Sequence, residues 1–130
     1  MKPQEIQKIH KRLAISLPQH HVNFLLAFEG FGKYNEIDIS NFLYADADVT
    51  VKMNQRFGFY RGDKVITNKF IIGDNGGGDL YLIDLNNPAD ERVFVFDHEE
   101  FSGQLNLESL KYYDTIAAYR KSLEELFGLS

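Results

Sequence analysis

The chain has 130 residues, no cysteine, no tryptophan and a formal charge of −5. That length suits one domain, residues 1–130, able to bury roughly two-thirds of the surface its unfolded form exposes, and the missing cysteines exclude a disulfide scaffold, a thiolate zinc site and a cysteine nucleophile. A net negative charge argues against a nucleic-acid binder, no apolar run nears the roughly 18 residues of a membrane span, and no signal-peptide core opens the chain, so a cytoplasmic protein is expected.

In chain order, Ile6, Ile9 and Leu13 recur at helical spacing with Lys8, Lys11 and Arg12 off that stripe, which predicts an amphipathic helix over residues 4–15 with Pro3 in its first turn. Leu17-Pro18 breaks it. A second helix should run to about Phe28 with Phe24, Leu25 and Phe28 buried, and Gly30 is placed to end it in the left-handed conformation. Glu36-Ile37-Asp38-Ile39-Ser40 alternates like a strand. Residues 45–57 are ambiguous: Val49, Met53 and Phe57 are spaced for a helix that Asp46 or Asp48 would cap, while Val49-Thr50-Val51 has strand propensity; helix is preferred.

Three strands follow, at Phe70-Ile71-Ile72, at Leu80 to Leu85 and at Val93-Phe94-Val95-Phe96, and their short connections make them antiparallel. The last two are apolar on both faces, so they are central and need covering on each side. Helices at the two ends of the chain can cover one face. The middle segment, a second copy of the chain or a foreign protein must cover the other, and a homodimer is one expected solution. The tail from about Leu107 to Phe127 is predicted to be helical, with Ile116, Tyr119, Leu123 and Phe127 on one stripe.

Charge is unevenly spread. Residues 70–110 hold nine acidic groups against Arg92 alone, a net of −8, so the whole excess lies in one segment. Its Gly73-Asp74-Asn75-Gly76-Gly77-Gly78-Asp79 stretch is not a phosphate loop, since no lysine follows the glycines, nor a dinucleotide fingerprint, since a strand follows where a helix should. It lacks the ligand ladder and distal glutamate of a calcium loop and reads as a glycine-dependent hairpin connection. His20 and His21 are adjacent and cannot chelate one ion from a helix, and Asp97-His98-Glu99-Glu100 lacks the paired histidines of a zinc protease. Asp97 and His98 with a carboxylate are one acid–base candidate, without a nucleophile motif beside them, and Asp84, Asp97, Glu99 and Glu100 are candidate paired carboxylates that read better as a solvated acidic edge. No catalytic residue, metal site or cofactor is expected.

Three stretches carry a family resemblance. Leu17-Pro18 with Phe24-Leu25 and Phe28-Glu29-Gly30 looks like a leucine-proline opening and a short apolar helix; residues 70–84 look like a strand–turn–strand unit; and Arg92-Val93-Phe94-Val95-Phe96-Asp97-His98-Glu99 looks like the next strand and its polar exit. In this order they resemble the SUKH superfamily, which includes fungal cell-wall-synthesis regulators and bacterial immunity proteins; Glu29 stands where the family often has asparagine. The resemblance implies an α+β fold, a mostly antiparallel sheet flanked by N-terminal and C-terminal helices, and a non-enzymatic protein-binding role. The expected partner is a basic toxin domain, a nuclease being the class that an acidic inhibitor fits, and the expected contacts are Asp74, Asn75, Asp79, Asp84, Asp97, Glu99 and Glu100. The alternative is a regulatory interaction protein with no toxin partner.

Overall fold

A computed structural model describes residues 1–34, 37–62, 66–97 and 110–128. Helix α1 (Pro3–Leu13) buries Ile6, Ile9 and Leu13, as the spacing predicts. It ends at Ala14 in the left-handed region, and the Leu17 N–H donates to His10 Nε2 at 3.2 Å, fixing the turn that follows. Helix α2 (Gln19–Ala27) is shorter than expected. Phe28 leaves the helix in an extended conformation because its ring goes into the core, stacked on Phe24 at 4.8 Å and edge-on to Phe31 at 5.2 Å. The Met1 ammonium donates to the carbonyls of Leu25 (2.7 Å) and Phe28 (3.2 Å), groups that a left-handed glycine cap would otherwise satisfy. Gly30 does have positive φ, +95°, but lies two residues beyond the cap position.

The predicted strand at residues 36–40 shrinks to β2 (Ile37–Asp38), paired antiparallel with β1 (Lys33–Tyr34), and Glu36 lies outside the described residues. Asp38 stops it: its Oδ1 accepts from both the N–H (3.0 Å) and the hydroxyl (2.6 Å) of Ser40, turning the chain into a 3-10 turn over Ser40–Phe42. Residues 45–57 resolve as helix α3 (Ala47–Phe57), with Asp46 as the cap, accepting from the Val49 N–H at 3.0 Å. The buried face is Ala47, Thr50, Val51 and Asn54 rather than the Val49 stripe, and Val49 itself is exposed.

The sheet has the order β3-β4-β5-β6 and is antiparallel throughout: β3 (Lys69–Asp74), β4 (Leu80–Asp84), β5 (Val93–Phe96) and β6 (Lys111–Tyr113). Strand β6 falls where a helix was predicted. Lys111-Tyr112-Tyr113 pairs with Val95-Phe94-Val93, and helix α4 (Ile116–Phe127) starts only after Thr115, whose hydroxyl caps it by accepting from the Ala118 N–H at 3.1 Å. Two tyrosines suit a strand, and pairing with β5 supplies backbone bonds that a helical turn there would forgo. Residues 107–109 lie outside the described part.

Both sheet faces are covered by the chain itself. Phe70, Ile72, Ile83 and Val93 pack with α1, α2 and α4 in one cluster. Ile71, Leu80, Leu82, Phe94 and Phe96 pack with Tyr44, Ile66, Met53, Phe57 and Phe59 in the other. The second cover is thus the middle segment, so the doubly apolar strands do not in themselves require a second copy.

The same segment closes the outer edge of β3. The Lys69 N–H donates to the Phe59 carbonyl (3.0 Å), and the Tyr44 N–H donates to the Ile72 carbonyl (2.8 Å). Between them the fully buried Asn54 amide makes a two-way pair with Ile71: its Nδ2 donates to the Ile71 carbonyl at 3.0 Å and its Oδ1 accepts from the Ile71 N–H at 2.8 Å. One side chain thus stands in for a neighbouring strand. The β3–β4 register slips between Ile71 and Gly73, a bulge that turns Gly73 towards the 3-10 turn. A Cβ on Gly73 would stand 2.0 Å from the Phe42 carbonyl oxygen, so only glycine fits.

Asn54→Ala leaves two buried backbone groups without partners and should cost about 2–4 kcal/mol in urea unfolding. Gly73→Ala should destabilise severely, whereas Gly77→Ala, whose added Cβ meets only the Asn75 side chain at 3.5 Å, should be tolerated. Equal unfolding midpoints for the two alanine variants at 73 and 77 would refute this account of the bulge.

Acid sensitivity follows from His21. It is buried between Phe24 (ring centroids 5.7 Å apart) and Phe70 (5.9 Å), and burial first, then the neighbouring His20, lowers its pKa from 6.5 to about 3. The unfolded chain therefore takes up a proton below pH 6.5 that the folded chain refuses. The His21 contribution is intact above pH 6.5 and is lost as pH falls from there towards 3, at about 1.4 kcal/mol per pH unit. His21→Leu should lose less stability than wild type between pH 7 and 4.5; parallel losses would contradict this.

Candidate functional site

The β3–β4 connection is a built loop. Asp74 closes β3, and its carboxylate accepts from the Gly76 N–H at 2.8 Å on one oxygen and from the Tyr44 hydroxyl at 2.5 Å on the other. Asn75 frames the turn from inside: its Oδ1 accepts from the N–H groups of Gly77 (2.8 Å) and Asp79 (3.1 Å), and its Nδ2 donates to Asp79 Oδ2 at 2.9 Å. Gly76 and Gly78 take positive φ of 79° and 107°, as a glycine-dependent connection requires. Tyr44 is held well above its usual pKa, by burial and then by its bond to Asp74, so its hydroxyl keeps its proton and serves as a fixed donor.

Strand pairing decides which acidic residues meet. Leu80 lies opposite both Asp74 and Phe96, so Asp74, Asp79 and Asp97 share one end of the sheet. Asp84 is at the other end of β4, on the order of 15 Å further along at about 3.3 Å per residue. There it pairs with Lys69 at 3.3 Å and accepts from the Asn86 N–H at 2.9 Å. Asp90, beside that end, pairs with Arg92 at 2.7 Å, which holds its carboxyl below the usual range, and the Arg92 guanidinium lies over Phe94 and Tyr112. Asp74, Asp79 and Asp97 therefore share one end of the sheet with Lys111, which pairs opposite Val95, and the other end carries the Lys69–Asp84 and Arg92–Asp90 pairs. Glu99 and Glu100 follow Asp97 in sequence but lie outside the described residues, as does His98, so the Asp97–His98 acid–base candidate, which is not the preferred reading, lies partly outside them too.

Among the described residues no group of three or more histidines and carboxylates is placed to hold a metal ion. His21 sits in the core, and the side-chain nitrogens of His20 are buried without hydrogen-bond partners. No helix of the described residues is long and apolar enough to cross a membrane.

Sequence reasoning missed three residues that shape this site. Tyr44, Asn54 and Gly73 fix the β3 edge that carries Asp74, and only Gly73 left a signal, a glycine at the end of a strand pattern. A family model described as the SMI1 / KNR4 family (SUKH-1) matches residues 1–120, and no curated protein matches the chain.

If Asn75 is the frame of the loop, Asn75→Ala should speed amide hydrogen exchange at Gly77 and Asp79 by about tenfold or more, the loss of roughly one to two hydrogen bonds. Unchanged exchange at both amides would show that the glycines alone hold the turn.

Proposed function

Given that the chain belongs to the SMI1 / KNR4 family (SUKH-1), we infer that it is a non-enzymatic, protein-binding module of the toxin-immunity type that acts in the cytoplasm. Its partner is a basic toxin domain, a nuclease being the class whose own substrate is a polyanion. The observation that carries this reading is the convergence of Asp74, Asp79 and Asp97, from the β3–β4 loop and the exit of β5, on one end of the sheet. These carboxylates lie in the segment that carries the whole negative excess of the chain.

The mechanism is electrostatic capture followed by occlusion. A field of one sign raises the rate at which an oppositely charged surface arrives, and the partner's basic groups then meet carboxylates in place of phosphates. Asn75 holds the loop in shape before the partner arrives, so little ordering is left to be done on binding. Glu99 and Glu100 extend the acidic run in sequence. Asp84, paired with Lys69, lies at the far end, away from these carboxylates.

Co-expression with the product of the neighbouring gene should rescue growth and yield a complex. In that complex, Asp79→Lys with Asp97→Lys should slow association by about tenfold or more at low salt and flatten its salt dependence. Association at the wild-type rate would sink the steering mechanism. Absence of both rescue and complex would favour a regulatory protein without a toxin partner.

A further inference from the structure

A groove of about 330 Å³ opens between the loop that follows α2 and the start of α3. We propose that it receives a single lysine or arginine side chain from the protein partner. This rests on the reading of the chain as a binder of a basic partner and adds a specific contact to it.

The chemistry of the walls points to that occupant. Glu29 and Asp46 are exposed carboxylates among the lining residues, Ser40 and Asn41 add neutral acceptors, and none of the described lining residues is basic. Asp46 gives one oxygen to the Val49 N–H as the α3 cap, which leaves most of its acceptor capacity unused. The remaining lining is apolar: Val49 is 39% exposed, and Ala45 and Tyr44 sit beside it. A long cationic side chain needs this combination, with apolar surface for its methylenes and carboxylates at its tip. Two like charges in a concave site also concentrate the potential that draws a cation in.

Backbone conformation keeps the groove open. Gly30 and Gly32 line one wall at positive φ, +95° and +67°. A Cβ on Gly30 would come within 3.3 Å of the Cβ of Ala45, another lining residue, and a Cβ on Gly32 would meet nothing within 4 Å. The volume admits one side chain but not a helix, which is about 10 Å across. Tyr44 joins the groove to the acidic end, because it lines the groove and donates its hydroxyl to Asp74.

The test is titration of the full-length 15N-labelled chain at low salt with N-acetyl-arginine methylamide and N-acetyl-lysine methylamide, with the leucine analogue as control. The cationic probes should shift the amides of residues 29–32 and 40–49 saturably in the millimolar range. Glu29→Lys and, separately, Asn41→Arg should weaken that response about tenfold while leaving the urea midpoint in place. Groove amides that stay still while those of Asp79 and Asp97 move would overturn the groove and leave the acidic-end reading standing. An equal response to the leucine probe would also overturn it. A saturable groove response in a chain that neither rescues growth nor forms a complex on co-expression would sustain the groove and remove the toxin partner.

Discussion

The exposed backbone of β3 is the constraint on which the rest of the structure depends. An edge strand buried on both faces must still satisfy the N–H and C=O groups that point away from its neighbour. Here the chain between residues 44 and 61 does so at three points, through the Tyr44 N–H, the Asn54 amide and the Phe59 carbonyl. Helix α3 is therefore tied to the strand's edge through Asn54. It gives Ala47 and Val51 to one core cluster and Met53 and Phe57 to the other, and so unites the two halves of the interior. The bulge beside Gly73 is part of the same arrangement, because it shifts the outward carbonyl of Ile72 to where Tyr44 can reach it.

The acidic end inherits its geometry from that edge. Tyr44 comes off the segment clamped to β3, and its hydroxyl fixes Asp74 at the strand's end. Asp79 is then set by Asn75, and Asp97 by the pairing of Phe96 with Leu80. The positions of these residues are thus set by core packing, side-chain hydrogen bonds and backbone pairing. At the far end the Lys69–Asp84 and Arg92–Asp90 pairs form, and both cations also lie over Phe94.

Much of the architecture was legible in the sequence because it rests on periodicity. The Ile6-Ile9-Leu13 stripe, the central strands and the Asp46 cap all follow from local rules. The failures have a common physical origin in long-range pairing. Asn54 on a helix reads as a surface residue until a strand backbone is brought against it. Lys111-Tyr112-Tyr113 reads as the start of a helix until β5 offers its edge. Gly30 reads as a helix cap until Phe28 is drawn into an aromatic cluster two residues earlier. The candidate site shows the same limit: counting charges along residues 70–110 cannot tell that Asp79 and Asp84 face opposite ends of one strand, because the sum carries no direction.

The Phe42 carbonyl has one more consequence. It is the group that Gly73 must clear, and it also accepts the Tyr119 hydroxyl at 2.6 Å, across a separation of 77 residues. On a ribosome, the 3-10 turn and β3 emerge long before α4 exists, so this junction stays incomplete until Tyr119 has been synthesised. Contacts of such sequence separation slow folding, because the intervening chain must be ordered before they form. Until then the outer edge of β3 is held by the α3 segment alone.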